Sequence, residues 1–104
     1  MPVREPLIDM DTLERVAPII RNLAHPLRLR IIDFLRHEGE PQSVGEIVRA
    51  AKGSQAVVSQ HLRVLRDQGI LSARREGSFI LYAISDKTVL LILDCIRMHA
   101  AERK

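Results

Sequence analysis

Apolar residues recur at helical spacing from residue 13 to residue 65, and this pattern predicts a series of helices. The first is predicted to begin at Asp11, because Glu14 follows three residues later as in a capping box. Pro18 lies inside it, so a kink or a later start remains open. A second helix begins at Pro26, which suits a first helical turn, and ends at Gly39.

Two more helices follow in close succession. Ser43 and Glu46 form a second capping-box pair at the start of a third helix, which Gly53 is predicted to stop. Ser54 then caps a fourth helix that extends to about Gln68. The apolar stripe of this fourth helix consists of Val58, Leu62 and Leu65.

After Gly69 the pattern changes to that of strands. Residues 71–76 and 79–84 read as two strands joined by a glycine-bearing turn. A fifth helix is predicted over about residues 86–102. It is apolar almost all round, so it is either central to the domain or shared with a partner.

These elements predict a mostly α fold with a small β-hairpin: a winged helix-turn-helix of about five helices and a two-stranded wing. The predicted organisation is a flexible arm over residues 1–9 and one domain over residues 10–104. The chain has 104 residues, 46% of them hydrophobic, so a core is available. A partner subunit would help a domain this small to bury its surface.

Charge and cysteine content narrow the function classes. The net charge of +3 favours a polyanionic partner without proving one. Cys95 is the single cysteine, which excludes an intrachain disulfide and suits a reducing compartment. The first residues lack the apolar stretch of a signal peptide, and no apolar run is long enough to cross a bilayer. We therefore expect a soluble cytoplasmic protein.

The fourth helix carries the side chains best suited to reading DNA. Opposite its apolar stripe lie small, hydroxyl, amide and guanidinium groups, with Gln55 at the edge of this face. Glutamine can pair with adenine and arginine with guanine, and serine binds bases or phosphates. The alternative is an ordinary solvated helix face. The positions concerned are Ala56, Ser59, Gln60 and Arg63.

The predicted hairpin adds positive charge beside this helix. Arg74 and Arg75 come directly before its turn, where they can reach the DNA backbone or the minor groove. The negative charge of Glu76 reduces the net positive charge at the same turn. A solvated turn is the alternative interpretation.

Four stretches of the chain resemble the ArsR/SmtB family of bacterial repressors. They are LAHPLRLRIIDFL (Leu23–Leu35), SVGEIVRAA, SQAVVSQHLRVLRDQGIL and ARREGSFILYAI. The resemblance covers roughly residues 13–103. It implies a homodimeric winged-helix repressor that binds an imperfect inverted repeat and leaves the DNA when an effector binds. It also implies a dimer interface built from the first and last helices.

The resemblance further assigns DNA contact by position. It implies that Ser54, Gln55, Ser59, Gln60 and His61 contact DNA, with support from Val44 near the start of the third helix. His61 lies nearer the core stripe than the others, so a structural hydrogen bond within the helix pair is an equal alternative.

Metal sensing is a further expectation to be tested. The family's metal site on the helix before the reading helix uses cysteines, which this chain lacks there. A second family site lies at the dimer interface on the last helix, and it takes two ligands from the start of this helix in one subunit and two from its end in the other. The matching slots hold Asp86, Thr88, His99 and Glu102. Asp86, His99 and Glu102 are candidate zinc ligands, whereas threonine is a poor one. The alternative is that Asp86 caps the helix and the other two are solvated.

Cys95 offers a second candidate sensor. It could meet its mate across a two-fold axis or be modified as a lone thiol, which requires an electropositive, partly exposed setting. Its place in an apolar run favours a buried small hydrophobe instead.

Three function classes compete. The leading hypothesis is a sequence-specific DNA-binding transcriptional regulator. The alternative is a winged-helix module for protein interaction or dimerisation that does not read DNA. An enzyme is not expected, because no nucleophile stands with a recognisable base and no glycine-rich phosphate loop is present.

Overall fold

The computed structural model describes residues 4–102, and their order of elements is that of a winged helix-turn-helix. Residues 1–3 of the predicted arm and residues 103–104 of the predicted domain lie outside this range. The elements are α1 (Met10–Leu23), α2 (Pro26–Glu38), β1 (Gln42–Ser43), α3 (Val44–Ala51), α4 (Gln55–Asp67), β2 (Leu71–Glu76), β3 (Phe79–Ile84) and α5 (Thr88–Glu102).

Helix α1 begins one residue earlier than predicted. Its cap is Asp9, whose carboxylate accepts hydrogen bonds from the Thr12 amide at 3.0 Å and the Thr12 hydroxyl at 2.8 Å. Asp11 lies inside the first turn and does not cap it. The helix continues through Pro18 as one element, so the late start that Pro18 left open is wrong.

The turn between α3 and α4 differs in one detail from the prediction. The capping box at Ser43 and Glu46 is confirmed. Lys52, rather than Gly53, ends α3 in the left-handed conformation, with φ of 60°. Gly53 is needed for a different reason: a Cβ there would lie 3.1 Å from a Val58 methyl and 3.5 Å from a Leu27 methyl. The absence of a side chain therefore lets the turn pack tightly between α2 and α4.

The sheet has three strands, in the order β1-β3-β2, and not the predicted two. The hairpin strands have the predicted bounds, and we call β2, β3 and their turn at Gly77–Ser78 the wing. Strand β1 was missed because it has only two residues, which pair with Tyr82 and Leu81. Such a short strand carries no alternation of its own, and its partner defines it.

The core lies where α2, α3 and α4 meet the base of the wing. Its fully buried side chains come from every one of these elements and from the segment between α4 and β2, and they include Ile31, Ile47, Leu62, Leu65 and Ile70. Helix α5 adds Val89 and Leu93 from one side. No helix within residues 4–102 is long and apolar enough to cross a membrane.

Helix α5 begins at Thr88, two residues later than predicted, and it is not central to the single chain. Val89 and Leu93 face the core, whereas Leu91 is 68% exposed and Met98 64% exposed. The second of the two sequence alternatives, a helix shared with a partner, is the one compatible with this exposure.

Candidate nucleic-acid interface

Helix α4 is oriented by its buried stripe. Val58, Leu62 and Leu65 are all 0% exposed, and they pack into the core. A helix that buries one face completely must turn the opposite face outward. The structure therefore presents a polar surface on α4, which we call the reading face: Gln55, Ala56, Ser59, Gln60 and Arg63, all exposed.

Two other residues assigned to DNA lie at the starts of α4 and α3. Ser54 is exposed, and its hydroxyl oxygen accepts a hydrogen bond from the Val57 amide at 3.2 Å, so it caps α4. Its hydroxyl proton remains available for a phosphate or a base. Val44 begins α3 and is half-buried.

Sequence reasoning missed Val57, which is 45% exposed although it is apolar. It lies in the first turn of α4, next to Ala56. Apolar side chains at such a position can contact the methyl group of thymine. The signal was present in the sequence, since Val57 lies one position before the buried Val58 and so cannot share its face.

The structure places His61 inside a hydrogen-bonded chain that joins three helices. Arg28 of α2 donates from Nε to His61 Nδ1 at 3.0 Å. The same guanidinium donates from Nη1 to the Asn22 carbonyl at 3.1 Å and to Asn22 Oδ1 at 3.4 Å in α1. The ring of His25, which caps α2, stands edge-on to the His61 ring at 4.5 Å between centroids. These contacts favour the structural alternative for His61.

The same contacts shift the proton affinity of His61. Burial of the ring, with smaller contributions from the charges of His25 and Arg28, lowers its pKa below the ordinary value of 6.5. The neutral ring accepts from Arg28 through Nδ1, so its own proton is carried by Nε2. Protonation of Nδ1 would remove the acceptor and place a second positive charge beside the guanidinium.

The two wing arginines have different surroundings. Arg74 Nη2 lies 3.1 Å from Glu76 Oε2, so the positive charge of Arg74 is partly neutralised. The sequence already indicated that Glu76 would reduce the net charge at this turn. Arg75 has no carboxylate within 4.0 Å among residues 4–102. It is paired across the hairpin with Ile80, and side chains alternate between the faces of a strand, so Arg74 and Arg75 point to opposite faces.

The candidate zinc ligands Asp86, His99 and Glu102 do not meet within one described chain. Asp86 Oδ1 accepts a hydrogen bond from the Thr88 amide at 3.0 Å, so Asp86 acts as a cap. No three His, Cys, Asp or Glu side chains within the described range lie close enough to hold a metal ion. The site predicted from the family combines residues of two subunits, with Asp86, His99 and Glu102 as donors and Thr88 as a poor one, and it stays a prediction. We derive no step through a metal.

Cys95 is exposed in the single chain, so the expectation of a buried small hydrophobe is wrong there. The reason is geometric. Cys95 lies two positions after the buried Leu93, which corresponds to a rotation of about 200° around the helix. The thiol therefore lies on the outer side of α5.

Comparison with known proteins places this geometry among DNA-binding regulators. A helix-turn-helix domain family matches residues 23–72. The HTH-type transcriptional repressor SmtB of Mycobacterium tuberculosis is 33% identical over 93 residues, covering 88% of this chain and 67% of that protein.

Solved structures agree with this placement. An antimony-specific transcriptional repressor, AntR, superposes with a TM-score of 0.82 at 30% identity, covering 96% of this chain and 91% of that one. The homodimeric winged helix-turn-helix DNA-binding domain of a possible ArsR-family regulator from Mycobacterium bovis superposes with a TM-score of 0.74 at 29% identity, covering 89% and 84%.

The link between Arg28 and His61 predicts a pH-dependent stability. Because the folded state lowers the pKa of His61, the unfolded state binds more protons as the pH falls below about 6.5. The wild type should lose free energy of unfolding in that window. His61→Gln keeps an acceptor without titrating, so it should lose less, and the two proteins should differ by a constant amount above pH 7. Urea unfolding between pH 5 and pH 8 measures this.

His61→Ala is the matched control. It leaves the Arg28 donor unpaired at every pH, so it should cost about 1–3 kcal/mol even at pH 8. Parallel stability curves for the wild type and His61→Gln down to pH 5 would contradict the assignment.

Proposed function

This chain belongs to the ArsR/SmtB family of winged helix-turn-helix, DNA-binding transcriptional regulators, and we propose that it acts as a homodimeric repressor. Its similarity to named regulators favours DNA binding over an interaction module that does not read DNA. The observation that carries the proposal is the exposed polar reading face on a helix whose other face is fully buried.

The reading face supports direct contact with bases in the major groove. Gln60 is exposed on this face, where a carboxamide can pair with the N6 and N7 groups of adenine. Arg63 lies one turn further along and suits guanine or a phosphate. Gln55, Ser59 and Ser54 lie around the helix start, where they position the helix against the backbone and nearby bases. Val44 supports the same surface from α3.

The family arrangement and the exposed apolar residues of α1 and α5 support a dimer. Ile20 of α1 and Ile96 of α5 are 53% and 42% exposed, and both line one apolar cavity of about 120 Å³. We call the exposed surface that Ile20 and Ile96 form at this cavity the apolar face. Leu13, Leu91 and Met98 are further exposed apolar side chains of the same two helices. We propose that a second copy covers this face. Binding to an imperfect inverted repeat then requires that the two α4 helices lie about one turn of DNA apart.

Release from the operator by an effector completes the proposed function. We propose that the effector is a compound that changes the dimer or its DNA affinity, and titration of the operator complex with candidate compounds, zinc included, identifies it. A zinc site from Asp86 of one subunit with His99 and Glu102 of the other stays a prediction.

The first prediction from the proposed function concerns base reading by Gln60. Gln60→Ala should reduce the preference for a selected operator over a scrambled duplex roughly tenfold, since a good bidentate base contact contributes about 1–3 kcal/mol. Gel-shift titration of both duplexes measures the ratio. Gln68→Ala is the matched control, because Gln68 is exposed at the far end of α4.

Two outcomes of that titration would contradict the proposal. If the wild type shows no sequence preference for the DNA upstream of its own gene or for a duplex selected from random sequence, the repressor function fails. If Gln60→Ala and Gln68→Ala behave alike, Gln60 does not read a base.

The second prediction separates the wing arginines. Arg75→Ala should weaken binding to any duplex several-fold more than Arg74→Ala, because Arg74 is already paired with Glu76. Glu76→Gln should strengthen binding, since it releases Arg74. Equal effects of the two arginine variants, measured at the same salt concentration, would refute the distinction.

The third prediction concerns assembly. Ile96→Glu should convert a dimer to a monomer, because it places a charge in the apolar face. Sedimentation velocity at micromolar protein measures this, and operator affinity should fall in parallel. Phe79→Glu, on an equally apolar but distant exposed position, should remain dimeric. A monomeric wild type would overturn the proposed assembly.

A further inference from the structure

A cleft of about 400 Å³ separates the start of α3 from the wing. One wall is formed by Val44, Gly45 and Arg49, and the other by Ser78, Phe79 and Ile80, with Ser43 at the base. Neither the sequence patterns nor the family resemblance assigned a function to Arg49. The cleft opens beside Val44, so it is continuous with the proposed DNA surface.

Arg49 is exposed and lies in this cleft without a partner. Its guanidinium folds back along α3, so that a Cβ added at Gly45 would lie 3.8 Å from Arg49 Nη1. No carboxylate lies within 4.0 Å of it among residues 4–102. The nearby Glu46 carboxylate is held instead by the Ser43 amide at 3.1 Å and the Ser43 hydroxyl at 3.0 Å.

The lining of the cleft contains one cation and no carboxylate. Arg49 is the only charged side chain among the described residues that line it. A guanidinium without a salt bridge in such an opening attracts an anion.

We propose that this cleft binds a phosphate of the DNA backbone, held mainly by Arg49, while α4 occupies the neighbouring major groove. The proposal rests on the proposed function, since the phosphate belongs to the same operator. A guanidinium binds phosphate oxygens through two parallel hydrogen bonds, so Arg49 is a positioning residue that contributes affinity without reading sequence. Gly45 contributes by leaving room for the guanidinium.

The test compares Arg49→Ala with Arg30→Ala in salt-dependent binding to a selected operator duplex. Arg30 is a matched control, since it is also exposed on a helix and has no carboxylate within 4.0 Å among the described residues. Arg49→Ala should bind roughly three- to tenfold more weakly per half-site, with its preference for the operator retained. The slope of log affinity against log salt should fall by about 0.9 for each bound protomer. Arg30→Ala should change neither quantity.

A second pair of variants tests the cleft without removing the charge. Gly45→Ala introduces only an ordinary van der Waals contact, so it should bind like the wild type. Gly45→Leu should displace the guanidinium and reproduce the loss seen for Arg49→Ala, with unchanged circular dichroism and dimerisation. Ethylation interference locates the contact: one phosphate per half-site that blocks wild-type binding should cease to matter for Arg49→Ala.

The outcomes separate this proposal from the function on which it rests. If the wild type prefers no duplex over another, the repressor function fails. If the wild type binds its operator and Arg49→Ala leaves affinity and salt slope unchanged, the cleft proposal alone is overturned. A changed sequence preference with an unchanged salt slope would show base reading instead, and a loss of dimerisation would show a protein contact. Either result would overturn phosphate binding.

Discussion

The complete burial of one side of α4 is the constraint on which the rest of the structure depends. Val58, Leu62 and Leu65 have no exposed surface, because they close the core between α2, α3 and the base of the wing. Burying a side chain of this size contributes about 1.5–3 kcal/mol, so the helix has one stable rotation about its axis. Gly53 favours this packing, since a Cβ there would lie 3.1 Å from a Val58 methyl and force it to shift by a few tenths of an ångström. The exposed polar groups of the reading face are therefore held in place, because α4 is fixed against rotation about its own axis.

Ion pairing decides which cations remain available to DNA. Arg36 and Arg97 are paired with Asp94 and Asp33 at 2.7 and 2.6 Å, and these two pairs tie α5 to α2. Arg28 is engaged by Asn22 and His61. On the wing Arg74 is paired with Glu76, whereas Arg75 has no carboxylate within 4.0 Å among residues 4–102. Arg49 lines the cleft between α3 and the wing, also without a salt bridge among these residues.

The chain connects its two functional surfaces through packed polar contacts. The Asn22–Arg28–His61 chain joins α1, which carries part of the apolar face, to α4, which carries the reading face. A rearrangement of α1 at a dimer interface would act on the Arg28 guanidinium and, through it, on His61. These hydrogen bonds connect the two helices in space, and the pH dependence of stability predicted for His61 reports whether they are formed.

The sequence alone determined the order of the elements, the hairpin strands, the capping box at Ser43 and the polar side of α4, because each depends on local periodicity or on turn chemistry. Tertiary structure decided what depends on distant partners. Asp9 rather than Asp11 caps α1, β1 exists through its pairing with β3, and Cys95 is exposed because α5 packs through Val89 and Leu93. His61 accepts a hydrogen bond from Arg28, which lies 33 positions earlier in the chain. The cleft beside Arg49 exists because residues 78–80 of the wing form its other wall. Local spacing carries no information about such contacts, since they form only when the core brings separate segments together.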